Sequence, residues 1–128
     1  MSIRKMKIQQ GYIVYQIPAE EIVKLRKADC FGNLCDSCNQ TIEDTYYIPV
    51  LNWGMCKKCF DEWKETAIFY KEDTDFEELN IHWIEKWCDR LNISFFLNII
   101  MLSLKTMFIL LICYKFLIQY IRKLIHQC

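Results

Sequence analysis

Cys35-Asp36-Ser37-Cys38, then seventeen residues, then Cys56-Lys57-Lys58-Cys59: two Cys-x-x-Cys pairs at this spacing decide how the rest of the chain is read. Two residues between cysteines let one turn present both sulfurs to a single ion. Two such turns complete a tetrahedral four-thiolate set, the ligand choice of structural zinc. Cys35, Cys38, Cys56 and Cys59 are therefore the expected Zn2+ ligands. A chain of 128 residues with eight cysteines could also be a secreted disulfide scaffold. Its first sixteen residues, however, contain no apolar core of a secretory signal, so reduced thiols and a cytoplasmic zinc module are expected.

A closed four-thiolate site leaves no coordination position for water, which argues against zinc hydrolysis, and the His-x-Glu with Pro-Cys-x-x-Cys pattern of deaminases is absent. The only histidines are His82 and His126, both far along the chain from the second pair. With no nucleophile, base or open metal position legible, no enzymatic activity is expected. Cys30, Cys88, Cys113 and Cys128 have no metal spacing and read as free, mostly buried thiols.

Charge separates the partner classes. Formal charge sums to zero, but residues 31–90 carry six basic and thirteen acidic side chains. Four thiolates on one Zn2+ add about −2 to that. An acidic surface repels the phosphates that dominate nucleic-acid affinity, leaving only Arg4–Lys7 and the Lys24–Lys27 stretch as basic footholds. A protein partner is thus preferred. A nucleic-acid-binding regulator using the basic N-terminal arm is the alternative, and no small-molecule substrate is expected.

Around the cysteines the elements follow from pattern. Gly11-Tyr-Ile-Val-Tyr-Gln-Ile17 reads as a strand ended by Pro18, and Pro18 opens a short helix in which Ile22 and Leu25 face a core. Asn39, just after the first pair, suits a left-handed backbone. Tyr46 to Leu51 reads as a strand, Asn52 to Gly54 as a turn, and Phe60 to Tyr70 as a helix with Phe60, Trp63 and Ala67 on one stripe. Thr74-Asp-Phe-Glu77 has the form of a capping box opening a helix to about Leu91, with Leu79, Trp83, Trp87 and Leu91 as its apolar stripe, Phe76 and Ile84 beside them, packed on the preceding helix. The fold class is α+β: a small zinc-stabilised treble-clef or LIM-like module over residues 1–92, with two following helices and then a long apolar C-terminal helix.

The runs Tyr15-Gln-Ile-Pro18, Cys35-Asp-Ser-Cys38, Tyr46-Tyr-Ile-Pro-Val-Leu-Asn52 and Cys56-Lys-Lys-Cys-Phe-Asp-Glu-Trp63 resemble a group of small bacterial and bacteriophage proteins built on a LIM-like or treble-clef knuckle. The block from Tyr46 to Trp63 is the specific part. The resemblance implies Cys35, Cys38, Cys56 and Cys59 as zinc ligands and an accessory protein acting on a host partner. It implies no catalytic residue, and members of this kind usually end near the close of the second helix.

Residues 93–128 therefore form a separate apolar, basic tail. From Ile93 to Tyr114 the only charge in 22 residues is Lys105, long enough for a transmembrane helix that would tether the module. Lys115, Arg122 and Lys123 beyond it would be cytoplasmic, placing the module outside, whereas a tail anchor would hold it inside. A second reading notes that 91–128 contain no Gly, Ala, Val, Asp or Glu, while 1–90 contain 25 of them. All five are encoded by codons beginning with G, as though AT-rich DNA were read in a shifted frame from about codon 90. A buried or partner-binding helix is the third reading.

Overall fold

The computed structural model describes residues 2–126, with side chains described for 2–95 and 106–123. Nine elements follow one another: β1 (Arg4–Lys7), β2 (Ile13–Ile17), α1 (Ala19–Lys27), β3 (Thr45–Ile48), β4 (Trp53–Met55), α2 (Lys57–Thr66), a 3-10 turn (Lys71–Asp73), α3 (Thr74–Arg90) and α4 (Phe96–His126). The strands form one antiparallel sheet in the order β1-β2-β3-β4. Tyr15 pairs with Tyr47, and Tyr46 with Met55. The chain divides into two compact units, Met1–Phe96 and Leu97–Cys128.

The α+β class and the small sheet are as expected, and both faces of the sheet are covered. Strand side chains alternate between faces. Tyr15, Ile17 and Tyr47 point into a core shared with Ile22 and Leu25 of α1 and Ile84 and Cys88 of α3. Val14, Tyr46, Ile48 and Met55 point the other way, into a core shared with Cys35, Ile42, Cys59 and Phe60. Tyr46 stacks on Phe60 with centroids 4.5 Å apart. The sheet is therefore the middle layer, with α1 and α3 on one side and the cysteine segments and α2 on the other. Each fully buried Ile or Leu contributes roughly 1.5–3 kcal/mol to such a core.

Two strands were not expected. Arg4–Lys7 has no apolar alternation, yet it pairs with β2 in register Lys5↔Tyr15. Its charges suit the sheet's edge, where they discourage pairing with another chain. Lys5 meets Glu85 at 2.5 Å, and the Tyr15 hydroxyl donates to the same carboxylate at 2.7 Å. The stretch read as a basic arm is thus a structural edge strand. Trp53–Met55, read as turn chemistry, is β4, and the turn lies earlier. Asn52 takes φ +53° and its N–H donates to the Pro49 carbonyl at 3.0 Å.

The helix boundaries shift by a few residues, and the first turns of α3 bury different residues from those expected. Pro18 precedes α1 as its cap rather than starting it. α2 begins three residues earlier than expected and ends at Thr66, and α3 packs on the sheet rather than on α2. On α3, Leu79 is 65 % and Phe76 48 % exposed, while Glu77, Asn80, Ile84 and Cys88 are buried. Of the expected stripe, Trp83, Trp87 and Leu91 are half-buried against the α1–α3 core, whereas Leu79 faces solvent because Glu77 and Asn80 occupy the buried positions at that end. Each has a partner: the Ile13 N–H donates to Glu77 at 2.6 Å, and Asn80 donates to the Pro49 carbonyl at 2.9 Å. Glu77 is consequently not the far half of a capping box. Thr74 lies inside the helix and donates to the Lys71 carbonyl at 2.8 Å, continuing the 3-10 turn.

Burial pushes the Glu77 carboxyl above its ordinary value, outweighing the Ile13 N–H that favours the charged form. With the folded value raised, Glu77's contribution is full below the unfolded value and is lost as pH rises through the folded one. Glu77→Gln keeps an oxygen for Ile13 and removes the buried charge. The variant is expected to be more stable than the parent at neutral pH. Urea melts from neutral pH down toward the ordinary carboxyl value of 4.5 check the sign, since the gap should narrow on acidification.

α3 ends in a Schellman motif: Asn92 takes φ +54°, and the Ile93 N–H donates to the Cys88 carbonyl at 2.8 Å. The chain then rejoins the module. The Ile3 N–H donates to the Ser94 carbonyl at 3.1 Å, Ile3 bridges Phe95, and Ile93 and Phe95 are buried in the α1–α3 core. The module thus runs to residue 95, three beyond its expected end. Residues 93 and 95 are core positions.

The expected transmembrane span of 93–114 finds no support among the described residues. Its first residues belong to the module, and the side chains of 96–105 lie outside the described residues. Among the described residues, no helix is long and apolar enough to cross a membrane. Over 106–123 the apolar run is interrupted by Lys115, Arg122 and Lys123. Within its own unit α4 leaves Met107 to Leu111, Phe116 and Tyr120 exposed.

Candidate metal centre

The four cysteines come from two short segments held side by side by backbone bonds. In the first, Leu34 bridges Thr41, the Cys35 N–H donates to Gln40 at 2.8 Å, and the Asn39 N–H returns to the Cys35 carbonyl at 2.9 Å. Asn39 has φ +59°, the left-handed conformation expected of it, which Asn tolerates better than most side chains. In the second segment, β4 delivers Cys56 to the cap position of α2 and Cys59 to its first turn. The helix N-terminus favours negative charge there.

The segments are joined through Asp36, whose N–H donates to the Gly54 carbonyl at 2.9 Å while its Oδ2 accepts the Gly54 N–H at 2.7 Å. The Cys56 N–H points at the Cys35 sulfur, 3.3 Å away. All four Sγ atoms lie within 4.8 Å of one another, with Cys38 and Cys56 at 4.0 Å. A Zn–S bond of about 2.3 Å in a tetrahedron requires sulfurs about 3.8 Å apart. The cage is nearly that size, and its soft, closed donor set could hold a metal ion.

The thiols interact strongly. Burial tends to raise Cys35, but the N–H groups of Cys56, Cys38 and Ser37 outweigh it and bring it down to about 7. At Cys59 the Ser37 hydroxyl lowers the value, but the Cys56 thiol, burial and the other two sulfurs together push it up to about 12. Sulfurs this close cannot all become thiolates unless a cation compensates them. That is the electrostatic demand a divalent metal meets.

Sequence reading missed two supports. Asp36 read only as a spacer between ligands. Arg26 read as a helix-terminal charge and a nucleic-acid foothold; its Nε donates to the Gly32 carbonyl at 2.9 Å and its Nη2 to the Ile42 carbonyl at 2.7 Å. One guanidinium thus ties both arms of the first knuckle to α1. Only Arg carries donors in a fork wide enough to do this. Arg26→Ala should lower metal affinity about tenfold, within the range for supporting shells. Competition with a chromophoric chelator would measure it, and unchanged affinity would show that the loop needs no clamp.

The remaining cysteines divide. Cys88 is buried and its thiol is pushed up to about 12 by that burial, Cys30 is half-buried, and Cys113 is exposed rather than buried. Cys128 lies outside the described residues. His82 is exposed on α3, and the side chain of His126 lies outside the described set. Comparison with protein-family models, curated proteins and solved structures finds no match to this chain.

Proposed function

We propose that this chain is a non-enzymatic, zinc-stabilised protein-interaction module, in which Cys35, Cys38, Cys56 and Cys59 hold one structural Zn2+. The observation that carries the reading is the four-sulfur cluster within 4.8 Å, assembled by a knuckle, a hairpin and the start of a helix, the order of a treble clef. Thiolates select zinc among the common soft divalent ions, and four of them close its coordination sphere. The ion then stabilises the fold and leaves no position for a reacting water. A protein partner fits the acidic surface better than nucleic acid does, since phosphate contacts need a basic one. Two further observations weigh against the nucleic-acid alternative: Arg4–Lys7 is an edge strand, and Arg26 is occupied with backbone carbonyls. An accessory role in a phage or mobile element belongs to the same proposal and rests on the Tyr46–Trp63 resemblance alone.

Metal analysis of the full chain tests the zinc centre. One zinc per chain is expected, and cobalt substitution should give thiolate charge-transfer bands with tetrahedral d–d absorption. Absence of metal, or octahedral cobalt spectra, would sink it. A partner captured from lysate by the zinc-bound chain and lost with chelator supports the interaction reading. A low-salt mobility shift with DNA or RNA would favour the alternative.

A further inference from the structure

Beside the first knuckle lies a second feature that the metal does not use, an open cleft of about 430 Å3. Its walls include Phe31, Tyr47 and Trp83, the Asp36 carboxylate, and the amides of Asn52 and Asn80. The three rings form one cluster. Phe31 meets Tyr47 at 5.2 Å and 83°, and Trp83 at 5.8 Å, while Tyr47 and Trp83 are 6.0 Å apart. Tyr47 is buried and its hydroxyl is committed to Asn52 at 2.8 Å. Phe31 and Trp83 are only half-buried, so they supply the open aromatic surface.

The polar side chains of the cleft are one carboxylate and two amides, the Asn52 Oδ1 being taken by the Tyr47 hydroxyl. Asp36 uses Oδ2 to hold the Gly54 N–H, and its Oδ1 meets no donor among the described residues. Asn80 is 8 % exposed, its Nδ2 is taken by the Pro49 carbonyl, and its Oδ1 likewise meets no donor among the described residues. None of the residues lining the cleft is basic, and residues 31–90 carry thirteen acidic against six basic side chains. A carboxylate, the Asn80 amide oxygen and an aromatic surface, with no basic group beside them, together select a ligand that is positive, flat and able to donate. A guanidinium has all three properties, whereas an ammonium is compact, strongly hydrated and unable to stack.

We infer that this cleft receives an arginine side chain of the protein partner, its guanidinium stacked on Trp83 with Phe31 alongside and donating to Asp36 and Asn80. The inference names the partner's chemistry within the interaction-module reading and rests on it. Because Asp36 sits between two metal-binding cysteines, the wall of the cleft is continuous with the metal centre. Partner recognition is thereby built on the part of the fold that the ion organises.

The test uses the full chain labelled with nitrogen-15 and three short peptides, acetyl-Gly-Arg-Gly-amide and its lysine and citrulline counterparts. The arginine peptide should produce saturable shifts at the Trp83 indole N–H and the Asn80 side-chain amide. The citrulline peptide, matched in shape but uncharged, should bind at least about tenfold more weakly, with lysine between them. Asp36→Asn keeps an oxygen for the Gly54 N–H and should cost about tenfold in affinity, as should Trp83→Leu. Equal binding of citrulline, no effect of Asp36→Asn, or no shift at Trp83 and Asn80 overturns the inference. Metal content of the same samples is read independently. One zinc without shifts removes the cleft and leaves the module standing, whereas shifts without zinc keep the cleft and remove the module.

Discussion

Cys59→Ser is expected to release the metal and, with it, the cooperative fold of residues 2–95. A serine hydroxyl is a poor zinc ligand at neutral pH. The three remaining thiolates would lose the tetrahedral closure that offsets their mutual repulsion. Structural zinc sites of this kind contribute apparent binding free energies of about 10–16 kcal/mol, most of which acts as folding free energy. That exceeds the about 5–15 kcal/mol by which domains are typically stable. The side of the sheet facing the cysteines has the most to lose, because Cys35 and Cys59 are themselves core residues beside Ile48, Met55 and Phe60. Far-UV circular dichroism should show no cooperative melt for the variant. The parent with excess chelator should behave alike, and added zinc should restore the parent but not the variant. A Cys59→Ser chain that melts cooperatively near the parental temperature would show that the sheet's two apolar faces suffice.

The second large effect lies on the other side of the sheet and distinguishes two faces of one helix. Ile84→Ala removes a fully buried side chain packed among Tyr15, Ile22, Leu25 and Cys88, and should cost about 2–5 kcal/mol through lost transfer energy and the cavity left behind. Leu79→Ala, five residues earlier on the same helix, removes a largely exposed side chain and should change stability by less than about 0.5 kcal/mol. Urea titrations of the two zinc-bound variants give the comparison. The apolar spacing of α3 counts Leu79 as a core position with Ile84 beside it, so a loss for Leu79→Ala as large as that for Ile84→Ala would reject the observed orientation.

What could be read in advance, and what could not, separates along the range of the interactions. The cysteine pairs, the left-handed Asn39, the strand ending before Pro18 and the inward Ile22 and Leu25 are local facts. Each follows from spacing or backbone preference within one turn or one strand, and each appears as expected. β1 is different: Arg-Lys-Met-Lys has no strand pattern of its own and becomes a strand because β2 offers it an edge. The buried residues at the start of α3 escaped the sequence reading for a related reason. Glu77 and Asn80 look like solvent-facing residues until Ile13 and Pro49, 64 and 31 residues away, are placed beside them. Arg26 shows the same thing at the cysteine cluster, since its partners on Gly32 and Ile42 are backbone carbonyls, which no side-chain pattern reveals.

The two Cys-x-x-Cys pairs were sufficient to nominate four ligands and an α+β module, because short spacing restricts where sulfurs can go whatever surrounds them. The sequence could not determine how the two pairs are held together, which face of α3 is buried, or where the module ends. Those depend on hydrogen bonds that close only when distant segments meet: Asp36 with Gly54, Glu77 with Ile13, and Ile3 with Ser94. A buried polar group is acceptable only where its partner is waiting, and the identity of that partner is a property of the tertiary structure alone.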